Sequence, residues 1–352
     1  MNKAVKYILR TLLVLLTIVL WAVLVVFLSI RIIVKGPSVE ARDLFVTSML
    51  ETGQMKWVVG LVLENEVIQE IVNKNSMVAM EQDSDASLIQ IAQEDPETAE
   101  EQTEPIVVEK VAGDNYTGTM MIVKDPSRVF VGTTYPWGEY GKELHTIVNE
   151  QGAVAGINGG LYESSGNKGG HPYGPVVVHG EIQNMTGLAH QGLVLIGFNE
   201  DNILNIIDIN GMGEAQVRQI IEQERIRDAV AFQEEATDAN NHFVKLIING
   251  ERREMNGMGS GANPRTAIGQ TADGRVLLFV TDGRGANGHL GATASDLIDV
   301  MERYGAVNAA NLDGGSSTSM YYNGEYLQTS VTLYYANSSW NIPTSFLVAP
   351  EQ

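Results

Sequence analysis

Apolar and polar positions alternate differently in four successive stretches of the chain. Residues 11–30, TLLVLLTIVLWAVLVVFLSI, are apolar and carry no charge. At about 1.5 Å per residue such a run is long enough to cross a bilayer as a helix. Lys3, Lys6 and Arg10 precede it, and Arg31 and Lys35 follow it. The basic bias is modest, and the strongly acidic remainder of the chain, with its candidate motifs far downstream, predicts a signal anchor with its N-terminus inside and the rest outside. A cleaved signal peptide is the rival reading, but its apolar region would be shorter, and no clear small-x-small cleavage site follows Ile30. Beyond the run, SVEARDLFVTSMLETGQ opens on the capping residue Ser38, and MKWVVGLVLENEVIQEIVNK follows it. Both have helical spacing and predict a membrane-proximal pair of helices. Residues 81–105 are rich in acids and contain no Lys or Arg, the composition of a linker that cannot bury enough surface to order itself. The predicted organisation is 1–35 cytoplasmic tail and transmembrane anchor, 36–80 helical stalk, 81–105 disordered acidic linker, and 106–352 folded domain.

From Ile106 the period changes to that of strands. TGTMMIVKD, RVFVGTTY, GPVVVHGEIQ, GLVLIGF, ILNIIDI, HFVKLIINGE and RVLLFVTDGR are short β-rich runs separated by glycine turns. The turns at His179-Gly180 and Asn249-Gly250 have hairpin chemistry. Three helices are predicted among them, over 142–150, 214–227 and 294–304, the last capped by Thr293 and placing Leu297, Ile298 and Met301 on one face. The predicted class is mixed α/β with largely antiparallel strands and flanking helices, preceded by the transmembrane helix.

Composition narrows the chemistry. The net charge of -20 over 352 residues argues against a nucleic-acid partner. The absence of cysteine removes disulfides, thiol catalysis and cysteine-ligated zinc. Glycine is in excess, 36 residues, and gathers around polar motifs, where a backbone must approach a ligand closely.

Four motifs hold the candidate chemistry: AGINGGLYESSGNKGGHPYG from Ala155, GMGSGANPRTAIG from Gly257, LLFVTDGRGANGHLGAT from Leu277, and NLDGGSSTSMYYNGE from Asn311. Each alone is explained by a strand-end turn or a surface salt bridge. Together they end three apolar strands at Asn158, Asp282 and Asp313, and begin another at Arg265. Loops carried on a rigid sheet are where sites usually lie. Arg265 and Arg284 suit a forked grip on phosphate. The N–H groups of Gly314 and Gly315 suit an anion-binding nest. The carboxylates of Asp282 and Asp313 suit glycoside chemistry.

INGGLY, NPRTAIG, VTDGR and AANLDGGSSTSM, in that order, resemble the phosphodiester glycosidase family over about residues 116–349. The resemblance implies a fold of curved sheets, no organic cofactor, and hydrolysis of a sugar joined through its anomeric carbon to a phosphodiester. It also implies an envelope or exopolysaccharide glycan as partner, as for many bacterial members. Ser316 stands where the family often has a third glycine, and Trp340 and Asn341 where it often has an arginine, which leaves substrate preference open.

The expected roles follow from both sources. Arg265, helped by Arg284 and the backbone from Gly314 to Ser317, neutralises the phosphate. Asp313 acts as nucleophile or general base, and Asp282 stabilises developing positive charge or positions water. Asn158 and Gly159 face the ligand, Ser316, Ser317 and Thr318 donate to its oxygens, and His171 is a lesser candidate for proton transfer. A divalent cation on Asp282 or Asp313 stays open, no complete ligand set being legible. The second hypothesis is a membrane-anchored module that binds phosphate-containing envelope glycans without turnover.

Overall fold

The computed structural model describes residues 3–52, 55–91, 104–163, 166–234, 242–330 and 338–351. Its helices are α1 (Lys3–Lys35), α2 (Val39–Leu50), α3 (Trp57–Gly60), α4 (Asn65–Lys74), α5 (Leu144–Glu150), α6 (Glu214–Gln223) and α7 (Ala294–Arg303). The strands are β1 (Ile106–Ala112), β2 (Thr117–Val123), β3 (Val129–Thr133), β4 (Ala155–Asn158), β5 (Val176–Val178), β6 (Glu181–Asn184), β7 (Leu193–Asn199), β8 (Leu204–Asp208) and β9 (Ile226–Gln233). They continue with β10 (Lys245–Ile248), β11 (Glu251–Arg252), β12 (Thr266–Thr271), β13 (Val276–Thr281), β14 (Ala306–Asn311), β15 (Ser319–Tyr322), β16 (Glu325–Thr329) and β17 (Thr344–Val348).

The class is the one expected, mixed α/β with antiparallel pairing throughout the described ladders. A seven-stranded sheet has the order β1-β2-β13-β12-β14-β10-β11, and two five-stranded sheets run β16-β15-β4-β17-β3 and β6-β5-β9-β7-β8. The period of two divides the long sheet into two working faces. Met121, Val123, Ile268, Leu278 and Val280 point into one core shared with the other sheets. Their neighbours Met120, Ile122, Ala267, Leu277 and Phe279 point to the opposite face, where Leu297, Ile298 and Met301 of α7 cover them. The Thr293 side chain accepts a hydrogen bond from Asp296 N, and Asp296 answers on Thr293 N, a complete capping box. Asn249-Gly250 and His179-Gly180 have positive φ and close the two expected hairpins, β10–β11 and β5–β6.

Three stretches differ from expectation. The helix expected through residues 55–74 is two, α3 and α4. WVVGLVL lacks a one-sided apolar stripe, and the chain turns at Glu64, which is extended at φ -78 and ψ 151. The helix expected to 227 stops at Gln223 because Arg225 turns the chain at φ 52 into β9. The acidic segment is not a free linker over its first half. Lys245, almost fully buried, donates to the carbonyls of Met80 and Gln82 and pairs with Asp83 at 3.0 Å. Ser84 and Gln90 hydrogen-bond to Ile206 and Ala272. Residues 92–103 of that segment lie outside the described residues.

α1 is apolar enough to cross a membrane, with a mean hydropathy of 3.1 over its most apolar 18 residues. Helices α2 to α4 make a small core from Val46, Leu50, Val59, Ile68 and Ile71. They do not stand off as a stalk. α2 lies against the loop that precedes β12, so closely that a Cβ on Gly261 would meet Ser48 N at 2.4 Å.

Candidate functional site

The antiparallel order brings the expected strand ends to one edge. β12 lies between β13 and β14, so Arg265 at its start has Asp282 on one side and Asp313 on the other. Thr281 N donates to Arg265 O, and Leu312 N to Thr266 O, closing both ladders at that edge. β4 arrives from the second sheet, and Asn158 ties the two sheets together. Its Nδ2 donates to Asp313 O at 2.6 Å, while its Oδ1 accepts from Thr266 Oγ1 at 2.7 Å and from Ser319 N at 3.2 Å. Asn158 is fully buried with both ends of its amide satisfied. It is placed to hold the Asp313 turn rather than a sugar hydroxyl. Gly159 continues that seam: its carbonyl accepts from Asp313 N, and a side chain there would strike Thr344 at 2.7 Å.

Asp313 is the electrostatic centre. Burial pushes its carboxyl up to about 6, opposed by hydrogen bonds from Ser317 and Gly314 N and by the charge of Arg284. Ser317 shares its hydroxyl with Tyr162 at 2.7 Å. Tyr162 is itself driven well above the ordinary phenol range by burial and then by the Asp313 charge, so it stays protonated and the hydroxyl chain Tyr162–Ser317–Asp313 keeps its donors.

Arg284 faces this carboxylate. Its Nη1 donates to Ser316 Oγ at 2.7 Å, and its Nη2 stands 2.7 Å from where a Cβ on Gly315 would lie. Its backbone is left-handed, φ 54, a conformation that costs a side-chain-bearing residue roughly 1–2 kcal/mol, and its guanidinium lies on the Gly315-Ser316 turn. Among the described residues the buried Arg284 Nε has no hydrogen-bond partner, and no carboxylate forms a salt bridge with Arg284. Burial lowers its proton affinity, Asp313 raises it and Arg265 lowers it. A desolvated cation with an unanswered donor is costly unless a ligand anion completes it.

Arg265 is placed differently. Its Nη2 pairs with Glu51 at 2.5 Å and also donates to Ser260 Oγ and Gly261 O, while its Nε donates to Ala292 O. Its guanidinium lies 5.0 Å from the Phe243 ring centre. Glu51, at the end of α2, is pushed up by burial, against the opposing pull of Arg265, Gly261 N and Asn263.

Asp282 is 2 % exposed and turned toward its own loop. Its Oδ1 accepts from Thr117 N at 2.7 Å, and its Oδ2 meets His289 Nδ1 at 2.8 Å. The expected nest at Gly314-Gly315 is internally used, because Gly314 N donates to Asp313 Oδ1 and Gly315 N to Pro264 O. The Thr318 hydroxyl is buried and has no hydrogen-bond partner among the described residues. His171 is exposed, and its carbonyl accepts from Glu163 N. Among the described residues no three His, Cys, Asp or Glu side chains gather closely enough to hold a metal ion.

Four residues beside the cleft were not singled out from the sequence. Tyr162 stands inside INGGLY, so its motif was a signal. His289 lies seven residues after Asp282 in the same glycine-rich loop. Thr266 follows Arg265 and reads only as a strand residue. Glu51 lies 214 positions from Arg265, with nothing local to mark it.

Known proteins share this fold. The catalytic domain of zebrafish N-acetylglucosamine-1-phosphodiester alpha-N-acetylglucosaminidase, solved in a form auto-inhibited by its pro-peptide, superposes with a TM-score of 0.51. The superposition covers 70% of this chain and 82% of that one at 16% identity, so it speaks for the fold. The mouse protein of the same name is 24% identical over 224 residues, 59% of this chain. An uncharacterized SPbeta prophage-derived protein of Bacillus subtilis, YomE, is 38% identical over 65 residues, 18% of this chain. The chain spans 40% of the mouse relative's length and 10% of the Bacillus one's. The profile of one family runs over residues 151–349, from the strand that delivers Asn158 through the loops of Arg265, Asp282 and Asp313 to the last strand. The chain is therefore a member of the phosphodiester glycosidase family.

Proposed function

We propose that the protein is a membrane-anchored hydrolase that releases a sugar from a sugar-1-phosphodiester by attack at the anomeric carbon. The observation that carries the proposal is the facing pair at the edge of β14: the part-buried Asp313, whose carboxyl is raised to about 6, and the guanidinium of Arg284, which among the described residues forms no salt bridge. The bond from the anomeric carbon to the bridging oxygen breaks, and its electrons leave with the phosphate monoester. Arg284 and Ser316 hold that departing anion. The oxygen of water ends on the sugar, with Asp313 acting as general base or as the nucleophile that water later displaces. A phosphate leaving group is weakly basic and needs little protonation. Arg265 and Asp282 shape the cleft from either side, and Asn158 fixes the Asp313 turn.

α1 anchors the protein, and the acidic domain faces the extracytoplasmic side, where envelope or exopolysaccharide glycans supply the substrate. The relatives named for N-acetylglucosamine-1-phosphodiesters make methyl N-acetylglucosamine-1-phosphodiester the first probe. Full-length protein in detergent micelles should release free N-acetylglucosamine from it. Binding without release would favour a non-catalytic glycan module instead. Protease added to intact cells should remove the domain, and full protection would overturn the orientation.

A further inference from the structure

We propose that Glu51 is a positioning residue of the cleft, acting through Arg265, so that the membrane-proximal helices belong to the catalytic unit. The inference rests on the hydrolase reading above. Glu51 stands at the C-terminal cap of α2, far from the family motifs in sequence, yet its side chain is only 4% exposed. Among the described residues, each hydrogen bond of that side chain is with the loop that delivers Arg265. Oε1 accepts from Gly261 N at 2.7 Å, and Oε2 accepts from Asn263 Nδ2 at 3.2 Å and from Arg265 Nη2 at 2.5 Å. With Nε held by Ala292 O, only Nη1 of Arg265 remains without a hydrogen bond among the described residues. The shaft of that side chain passes Gly314, whose Cβ position lies 3.9 Å from Arg265 Cδ. The fixed side chain therefore lays its shaft against the Asp313 turn.

Charge gives the carboxylate a second task. Arg265 opposes the charge of Arg284, and two desolvated cations side by side repel in a low-dielectric cleft. Glu51 neutralises one of them, leaving Arg284 as the cation open to an incoming phosphate.

The packing is that of a permanent part, not a removable cover. The α2 backbone touches Gly261 with no room for a methyl group. Ser48 Oγ accepts from Ala262 N at 2.9 Å. Met77, just past α4, forms a bridge with Met255.

The test is a double-mutant cycle on the full-length protein in micelles, with methyl N-acetylglucosamine-1-phosphodiester for turnover and N-acetylglucosamine 1-phosphate for calorimetric binding. Glu51→Gln and Arg265→Met should each lower kcat about tenfold or more, with KM changed much less, and the double variant should be no worse than the poorer single one. Glu51→Asp, one methylene shorter, gives a graded reading of the same bond if Glu51→Gln does not fold. Ser48→Ala weakens the same helix contact without touching Arg265, so it should lose stability and keep kcat. An unchanged or raised kcat in Glu51→Gln would make Glu51 a removable plug and overturn the proposal. So would losses that multiply in the double variant, or a Ser48→Ala loss in kcat equal to that of Glu51→Gln. A wild type that binds the sugar phosphate but releases no sugar defeats the hydrolase reading alone. The cycle is then read in Kd, where the two single effects should fail to add and additivity overturns the proposal. A wild type that neither binds nor turns over defeats both.

Discussion

Asp313→Asn should make the protein more stable at neutral pH while abolishing turnover. In the unfolded chain the carboxyl titrates near 3.8, and in the fold burial raises it to about 6. Between those values the unfolded chain has lost the proton and the folded chain still holds it, so folding takes up a proton there. The stability contributed by this group is therefore complete below 3.8, falls as pH rises through 6, and is gone above it. At about 1.4 kcal/mol per tenfold change in proton affinity, the gap comes to ~3 kcal/mol. That is an upper value, because Asp313 keeps some exposed surface. Asparagine has the shape of the protonated acid and no charge to desolvate, so it recovers that amount at pH 7.5 and nothing at pH 3.5. With a urea dependence of about 3 kcal/mol per molar, the midpoint of unfolding should move up by ~1 M at pH 7.5. The assay is urea unfolding followed by tryptophan fluorescence at both pH values, with free-sugar release measured on the same samples. A neutral-pH midpoint that does not rise, or a rise of equal size at pH 3.5, would refute burial as the cause of the raised value. Retained turnover would remove Asp313 from the chemistry.

The same group sets the acid limb of activity. kcat/KM on the phosphodiester should fall as pH drops through about 6, and in a pH series a limb near 4 would mean that the working carboxylate is another one. Arg284→Met should weaken N-acetylglucosamine 1-phosphate binding at least tenfold by calorimetry, yet cost little stability, because it removes a desolvated charge with an orphaned Nε; unchanged affinity would show that the phosphate sits elsewhere. Gly315→Ala, at φ 60 with its methyl 2.7 Å from Arg284 Nη2, should lose both roughly 1–2 kcal/mol of stability and phosphate affinity. Gly324→Ala, at φ 91 with open space around it, is the control that should lose stability alone, and equal affinity losses in the two would contradict the placement of Arg284.

Local patterning made much of this molecule readable. The apolar run of α1, the Thr293 cap of α7 and the hairpins at His179-Gly180 and Asn249-Gly250 follow from periodicity and turn chemistry within a few residues. So does the delivery of Asp282 and Asp313 to one sheet edge, with Asn158 beside them at the end of a strand of the second sheet, because apolar strands stop where glycine and polar residues begin. What stayed hidden depends on distant partners. Arg265 reads as a phosphate ligand until Glu51 arrives from 214 residues away to pair with it. Asp282 reads as a second free carboxylate until Thr117 N and His289 occupy its oxygens. Gly314 and Gly315 read as open donors until Asp313 and Pro264 accept from them. The acidic segment has the composition of a linker, and the buried Lys245, with Asp208 N and Asn249 Nδ2 donating to Asp83, explains why residues 80–83 lie against the domain.

The central claim is that water attacks carbon and leaves the phosphorus untouched. Hydrolysis of methyl N-acetylglucosamine-1-phosphodiester by the full-length protein in heavy-oxygen water separates the two, provided the sugar is read before its anomeric oxygen exchanges with solvent. Attack at carbon, by way of Asp313 as base or as nucleophile, places the heavy oxygen on the released N-acetylglucosamine and leaves methyl phosphate unlabelled. Label in the methyl phosphate, with none on the sugar, would mean that the phosphorus–oxygen bond is the one that breaks, and would contradict the role given to Asp313.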